Sequence, residues 1–422
     1  MDITTIDNIK KSGKKDENMK ITLIGRPSRE LTYLAKQLYI DQYLQKVITF
    51  RYLDVNDSRE TIKLFFRLKK GNEINKLTNA VLSTYVLNSL LRKLSHPFLK
   101  QSSIEFAHHT SDKYFSFIAS NYLPLNSDIY HGWMNYSLNS FKKISKKNPK
   151  GIKVLELYTI HPDSIRKIHK KYFGENTYFI FPSQKRDEII DEEIEICDAI
   201  IAPSEFVKKS LNNLDDSKVH IIPFGTDCLK FFPKEKGNDF YFQEELVVLF
   251  VGNITYTKGF DLLYNAIEFL RNKKRKIKFK VVGSVAEIYS SRFKTIIKNI
   301  EYLGRIPHDK LNDVYNSAHL LALPSYYESG PLVAYEALAA GLPVIITENM
   351  NPLVENGKNG YFTKINDMND VADKINRVYE NRDWLVEASH YARETALKNT
   401  WEARYSNLIR LYEQLLKQRS EI

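Results

Sequence analysis

The chain has 422 residues, more than one ordinary core holds, so two or three domains are expected. Apolar residues make up 43%, with 26 Tyr and 23 Phe, which is enough for large cores, while only two cysteines, Cys197 and Cys228, argue against a disulfide framework and for a reducing compartment. The net charge of +11 is carried by the first third, where residues 1–150 hold 25 Lys/Arg against 13 Asp/Glu.

Residues 1–18 are polar and lack the apolar stretch of a signal peptide, so a disordered extension and a cytoplasmic protein are expected. No apolar run approaches the ~18 residues a membrane span needs. The first strand is predicted at Lys20–Gly25, closed by Gly25-Arg26-Pro-Ser28, and a second at Val47–Tyr52. Leu64-Phe-Phe-Arg-Leu-Lys-Lys70 and Leu90-Leu-Arg-Lys-Leu94 alternate basic and apolar residues, as a helix lying on an anionic membrane would; a solvated lysine-rich surface explains the same pattern. Zinc-finger spacing and a basic stripe are both lacking, so nucleic acid is not an expected partner. His108-His109 fit either an acceptor cleft or an ordinary polar surface.

Further strands are predicted at Ile129–Gly132, Val154–Tyr158, Ala199–Pro203 and His220–Pro223. The acidic run 187–198 resembles a metal site, but the helical spacing of Ile190, Ile194 and Cys197 makes one face core and leaves the acids solvated. With no Asp-x-Asp, His-Glu-x-x-His or Cys-x-x-Cys, no metal or other cofactor is called for. A seam is expected near Phe224–Asp227. Beyond it come strands at Val247–Gly252, Phe279–Gly283, Glu301–Leu303, Leu320–Pro324, Val344–Thr347 and Gly360–Thr363, then a periodic helical tail from Trp401 to Gln418. Strands alternating with helices throughout predict an α/β protein with parallel sheets.

The most informative stretch is Ser325-Tyr-Tyr-Glu-Ser-Gly-Pro-Leu-Val-Ala-Tyr-Glu-Ala-Leu-Ala-Ala-Gly341, which places Glu328 and Glu336 eight residues apart. It reads as a strand end, a loop carrying Glu328, Pro331 in a first helical turn, and a helix stopped by Gly341. Free amides at that helix start, near Ser329, Gly330 and Leu332, favour an anion. Glu336 lies roughly 7 Å further along the axis, where its carboxylate could accept two hydroxyls of a ribose. Taken alone, a solvated loop glutamate and a surface glutamate would look the same. Lys258, after the apolar strand that ends at Gly252, could bind a diphosphate or be an ordinary surface lysine.

These residues resemble the Glu-x7-Glu segment of retaining glycosyltransferases of the GT-B fold, in particular glycosyltransferase family 4 (group 1 glycosyltransferases). Val247-Val-Leu-Phe-Val-Gly-Asn-Ile-Thr-Tyr-Thr-Lys-Gly259 is similar to the family's phosphate loop, and Val219-His-Ile-Ile-Pro-Phe-Gly-Thr-Asp227 to its interdomain segment. Cys197–Val207 and Asn359-Gly-Tyr-Phe362 fit as well, so the match spans about residues 195–402 and is weak before residue 128. The resemblance implies two Rossmann-like domains facing a cleft, an acceptor domain at 19–225 and a nucleotide-sugar domain at 226–397, with residues 398–422 crossing back as a helix onto the first domain.

It further implies Lys258 on the donor diphosphate, Glu336 on the ribose, Glu328 orienting the sugar, and the backbones of Gly283, Arg305 and Ile306 flanking the base. His161 lines up with a histidine facing the donor sugar, although a packing or capping histidine is an equal reading. Gly25 and Arg26 lie on the acceptor side, where the family's paired glycines are missing. Asn253 stands where the family usually has arginine, so a second cation must come from elsewhere or leaving-group stabilisation is weaker. The implied partners are a nucleotide-sugar donor and a glycan or lipid-linked acceptor, with peripheral contact to an anionic membrane at its inner face. A non-catalytic scaffold, a nucleotide-sugar epimerase and a sugar phosphorylase are the alternatives on the same fold.

Overall fold

The computed structural model describes residues 19–26, 28–49, 101–174, 184–211, 215–350 and 353–421. The expected disordered extension at 1–18 and the two basic-apolar segments in 64–70 and 90–94 lie outside them. Six strands form a first sheet: β1 (Ile21–Gly25), β2 (Leu44–Thr49), β3 (Ile129–Trp133), β4 (Ile152–Glu156), β5 (Ala199–Ala202) and β6 (Val219–Ile221). Six more form a second: β7 (Leu246–Val251), β8 (Ile277–Val282), β9 (Glu301–Tyr302), β10 (Leu320–Leu323), β11 (Val344–Thr347) and β12 (Gly360–Thr363). Every pairing is parallel, as near-continuous apolar strands covered by helices on both faces require.

Strand order positions the cleft. The first sheet runs β2-β1-β3-β4-β5-β6 and the second β12-β11-β10-β7-β8-β9. The chain therefore leaves β1 on one side and returns on the other at β3, and does the same around β7 between β8 and β10. Crevices open at the carboxyl ends of strands at such reversals, and α/β proteins bind ligands there. Gly25 ends β1 and Arg26 follows it; Gly252 and Asn253 follow β7.

The strand expectations hold in kind and shift at the ends. Strand β2 begins at Leu44 rather than Val47, because Leu44 pairs with Ile21 at a half-exposed edge where polar Gln45 and Lys46 are tolerated. Strand β4 begins two residues before Val154, since Lys153 is buried in the strand with its ammonium 2.8 Å from Asp198. Pro331 sits one position before the first helical residue, as the N-cap of helix Leu332–Ala339, rather than in its first turn. Solvation of the acidic run fails at Glu193. Its side chain is fully buried and accepts backbone N–H bonds from Asn135 and Ser137, both at 2.7 Å, and from Leu138 at 3.0 Å. Burial pushes that carboxyl up to about 8 while the three amides pull it down. Ile190, Ile194 and Cys197 are buried as their spacing predicts.

Helix Trp401–Ser420 packs on the first core through Leu408, Leu411, Tyr412 and Leu415. A buried polar chain fixes it there. Arg404 donates to the Pro223 carbonyl at 2.8 Å and to Glu156 at 2.9 Å, and Glu156 is 2.9 Å from His131. Burial alone would raise the Glu156 carboxyl, but the Arg404 charge and the His131 contact hold it below the ordinary range. At the connection between the sheets, a Cβ on Gly225 would lie 2.5 Å from the Trp401 nitrogen, so the close crossing of the two segments needs glycine.

Candidate active site

A cleft of about 650 Å³ lies between the two halves. Arg26, Arg29, Trp133, Tyr136 and Tyr158 line it from the first half, and Gly252, Asn253, Lys258, Glu328, Gly330 and Leu332 from the second. The second wall is assembled from two strand ends. After β7, Gly252 makes a turn whose carbonyl oxygen would lie 1.7 Å from a Cβ on Gly283, which itself has φ 146°. Only glycine lets the two loops touch. Asn253 accepts there from the Ser284 hydroxyl.

Lys258 ends the short 3-10 turn Tyr256–Lys258, and its ammonium pairs with the Glu328 carboxylate. Burial lowers the ammonium to about 8. Glu328 comes from the loop between β10 and helix Leu332–Ala339. Gly330, with φ 149°, completes that loop, and a Cβ on it would lie 3.0 Å from the Phe224 ring. No side chain caps the helix, so its first amides face the cleft end of the loop unsatisfied by protein side chains. Glu328, Lys258 and a helix start with free amides thus converge.

Glu336 lies one turn in, 4% exposed. Three donors hold it: Arg29 at 2.7 Å and His308 at 2.8 Å, both on Oε1, and the Tyr315 hydroxyl at 2.8 Å on Oε2. Burial would raise this carboxyl, but the His308 bond and the Arg29 charge hold it below its ordinary range. Arg29, His308 and Tyr315 were not legible as site residues, because each meets Glu336 only through tertiary folding.

The other expected residues divide between the cleft and positions away from it. Gly25 packs on Trp133, and exposed Arg26 reaches the cleft. Arg305 is exposed and Ile306 packs on the second core; neither forms a wall of this cleft. His161 takes the position of a cap. Its Nδ1 accepts from the Asp163 amide at 3.3 Å, Nε2 lies 3.3 Å from Asp191, and the ring is buried away from the cleft walls. His109 is buried too. Among the described residues no cluster of three His, Cys, Asp or Glu could hold a metal ion, and no helix is long and apolar enough to cross a membrane.

Comparison with known proteins bears on the fold and the family. Residues 232–398 match the family described as Glycosyl transferases group 1. A D-inositol 3-phosphate glycosyltransferase of Corynebacterium jeikeium is 28% identical over 217 residues, covering 47% of this chain and 52% of that protein. The chain thus spans about half the length of the curated relatives it matches. Among solved structures, sucrose-phosphate synthase from Thermosynechococcus elongatus superposes with a TM-score of 0.66 at 18% identity, covering 95% of this chain and 100% of that one. Anabaena Alr3699/HepE, solved in complex with UDP, gives 0.61 at 15% identity, with 94% and 100% covered. The two facing parallel sheets are those of the GT-B fold, and residues 232–398 of the second half carry the match to the group 1 glycosyltransferases.

Proposed function

We propose that the protein is a retaining glycosyltransferase that moves a sugar from a nucleoside diphosphate sugar to a hydroxyl acceptor. The observation that carries this reading is the convergence of Lys258, Glu328 and the uncapped start of helix Leu332–Ala339 at one cleft, with Glu336 one turn deeper. The diphosphate lies against Lys258 and the amides near Ser329 and Leu332, which stabilise the charge that develops as the β-phosphate leaves. Ribose hydroxyls bind Glu336. Glu328 accepts from hydroxyls of the transferred sugar and orients the ring. The acceptor hydroxyl approaches from the leaving-group face, and the departing phosphate takes its proton, so no separate general base is needed. Closure of the two halves excludes water and suppresses hydrolysis.

The acceptor enters along Arg26, Trp133, Tyr136 and Tyr158, and a glycan or lipid-linked intermediate of the cell envelope suits that wall and the basic first third. Asn253, neutral beside the diphosphate position, favours one second reading, a scaffold that keeps the fold without turnover. A thermal-shift screen against UDP-, GDP-, ADP- and dTDP-sugars without added metal separates the two. UDP-sugars lead the screen because HepE binds UDP. A rise in Tm with one of them supports the donor site and names its nucleotide. No shift with any, free diphosphates included, leaves the scaffold reading.

A further inference from the structure

The charges around the cleft do not add up for a diphosphate on the second half alone. That wall offers one cation, Lys258, already paired with Glu328, beside the uncapped amides of helix Leu332–Ala339 and a neutral Asn253. A diphosphate ester carries about two negative charges, so a single cation that is itself paired leaves most of that charge without a positive partner. The opposite wall supplies a candidate. Arg29, the first residue of helix Arg29–Ile40, has a half-exposed side chain that lines the cleft, while its Nη1 lies 2.7 Å from Glu336 of the other half. The oxygen it contacts is also taken by His308, and the second oxygen by Tyr315.

We propose that Arg29 is the second cation of the diphosphate site and that Glu336 holds it until ribose hydroxyls take its place. This rests on the assignment of Glu336 to the ribose. A hydroxyl arriving at Oε1 competes with the guanidinium, which is the donor exposed to the cleft; His308 and Tyr315 remain to hold the carboxylate. Arg29 is released where the diphosphate lies, and its planar fork then binds phosphate oxygens, which a lysine would do less well. The exchange keeps Arg29 paired throughout: its ion pair with Glu336 is replaced by one with the donor's phosphate, and Glu336 keeps the His308 and Tyr315 bonds. It also makes the nucleotide itself the link between the two walls.

Titration of UDP and uridine into the full chain, as wild type and as Arg29→Met, tests this, with GDP and guanosine, and ADP and adenosine, run in parallel. The expected result is at least ~10-fold weaker binding of the diphosphate, while the nucleoside binds as well as before or better, its competitor gone. Arg29→Lys should recover part of the loss. A guanidinium from the other wall, in Arg29→Met combined with Asn253→Arg, should recover more. Equal weakening of nucleoside and diphosphate would make Arg29 merely structural, and unchanged or tighter diphosphate binding would make it only an obstacle. Either result overturns the proposal. Failure of the underlying reading shows separately: Glu336→Ala would then leave nucleoside affinity unchanged, or no nucleotide would bind the wild type.

Discussion

The two halves share a plan of six parallel strands with a reversal at the centre, yet they build opposite kinds of wall. In the second half the polar groups are held by near neighbours: Lys258 on Glu328, Asn253 on Ser284, Tyr315 and His308 on Glu336. In the first half the cleft-facing cations are the exposed Arg26 and the half-exposed Arg29, set beside aromatic rings. On the proposed function the second wall stabilises the same diphosphate in every turnover, and it gains from groups fixed in advance, because they need no reorganisation as charge develops. A wall that must admit an acceptor and then close gains from long side chains that can move. The fixed network of the first half lies deeper, where Arg404, Glu156 and His131 tie the last helix to the sheet.

Changes that break this division should differ in kind as well as size. The largest effect is expected for Arg404→Met, which strands Glu156 in the core; loss of one partner from a buried pair costs about 3–5 kcal/mol, read by urea unfolding. The same pair sets a pH dependence. Because the Glu156 carboxyl is depressed on folding, its contribution is full above the ordinary carboxylate range and is lost as pH falls through the lower folded value. Wild type should therefore lose stability in acid more steeply than Arg404→Met.

Next comes Lys258→Ala. If the second wall is preorganised for the leaving group, turnover should fall ~10²–10³-fold, the scale of losing one transition-state donor, with little change in Tm. Equal losses of turnover and stability would make Lys258 a structural residue. Gly283→Ala should destabilise by about 1–3 kcal/mol through its φ of 146° and the contact with Gly252. Donor binding should weaken in proportion as the loop carrying Asn253 is displaced. The smallest effect is expected for Tyr158→Phe on the first wall, which should leave nucleotide affinity within ~2-fold and alter only acceptor use. A larger change in nucleotide affinity would mean that the donor leans on both walls from the start.

What the sequence disclosed follows the same division. The second wall is largely local: Gly252 to Gly259 and Ser325 to Gly341 each form a strand, a loop and a helix start within one short stretch, so turn and helix-start chemistry is visible in order. Strand ends moved by a few residues where a polar residue found a tertiary partner, as Lys153 did with Asp198. The partners of Glu336 were hidden because Arg29 lies 307 positions away, and even His308 and Tyr315 approach only when β9 and β10 flank β7 and β8. Glu193 misled for a related reason. Its run reads as a solvated helix face, and nothing nearby announces the three amides that Asn135, Ser137 and Leu138 bring to it. His161 illustrates the converse, a residue whose local pattern suits a site but whose ring is used to start a helix.

The most direct test is titration of UDP and uridine, or of whichever nucleotide the screen selects, into wild type, Lys258→Ala and Glu336→Ala. A diphosphate at Lys258 and a ribose at Glu336 predict that Lys258→Ala weakens only the diphosphate, while Glu336→Ala weakens the nucleoside and, to a smaller degree, the diphosphate. Nucleoside affinity that survives Glu336→Ala, or diphosphate affinity that survives Lys258→Ala, would contradict the account.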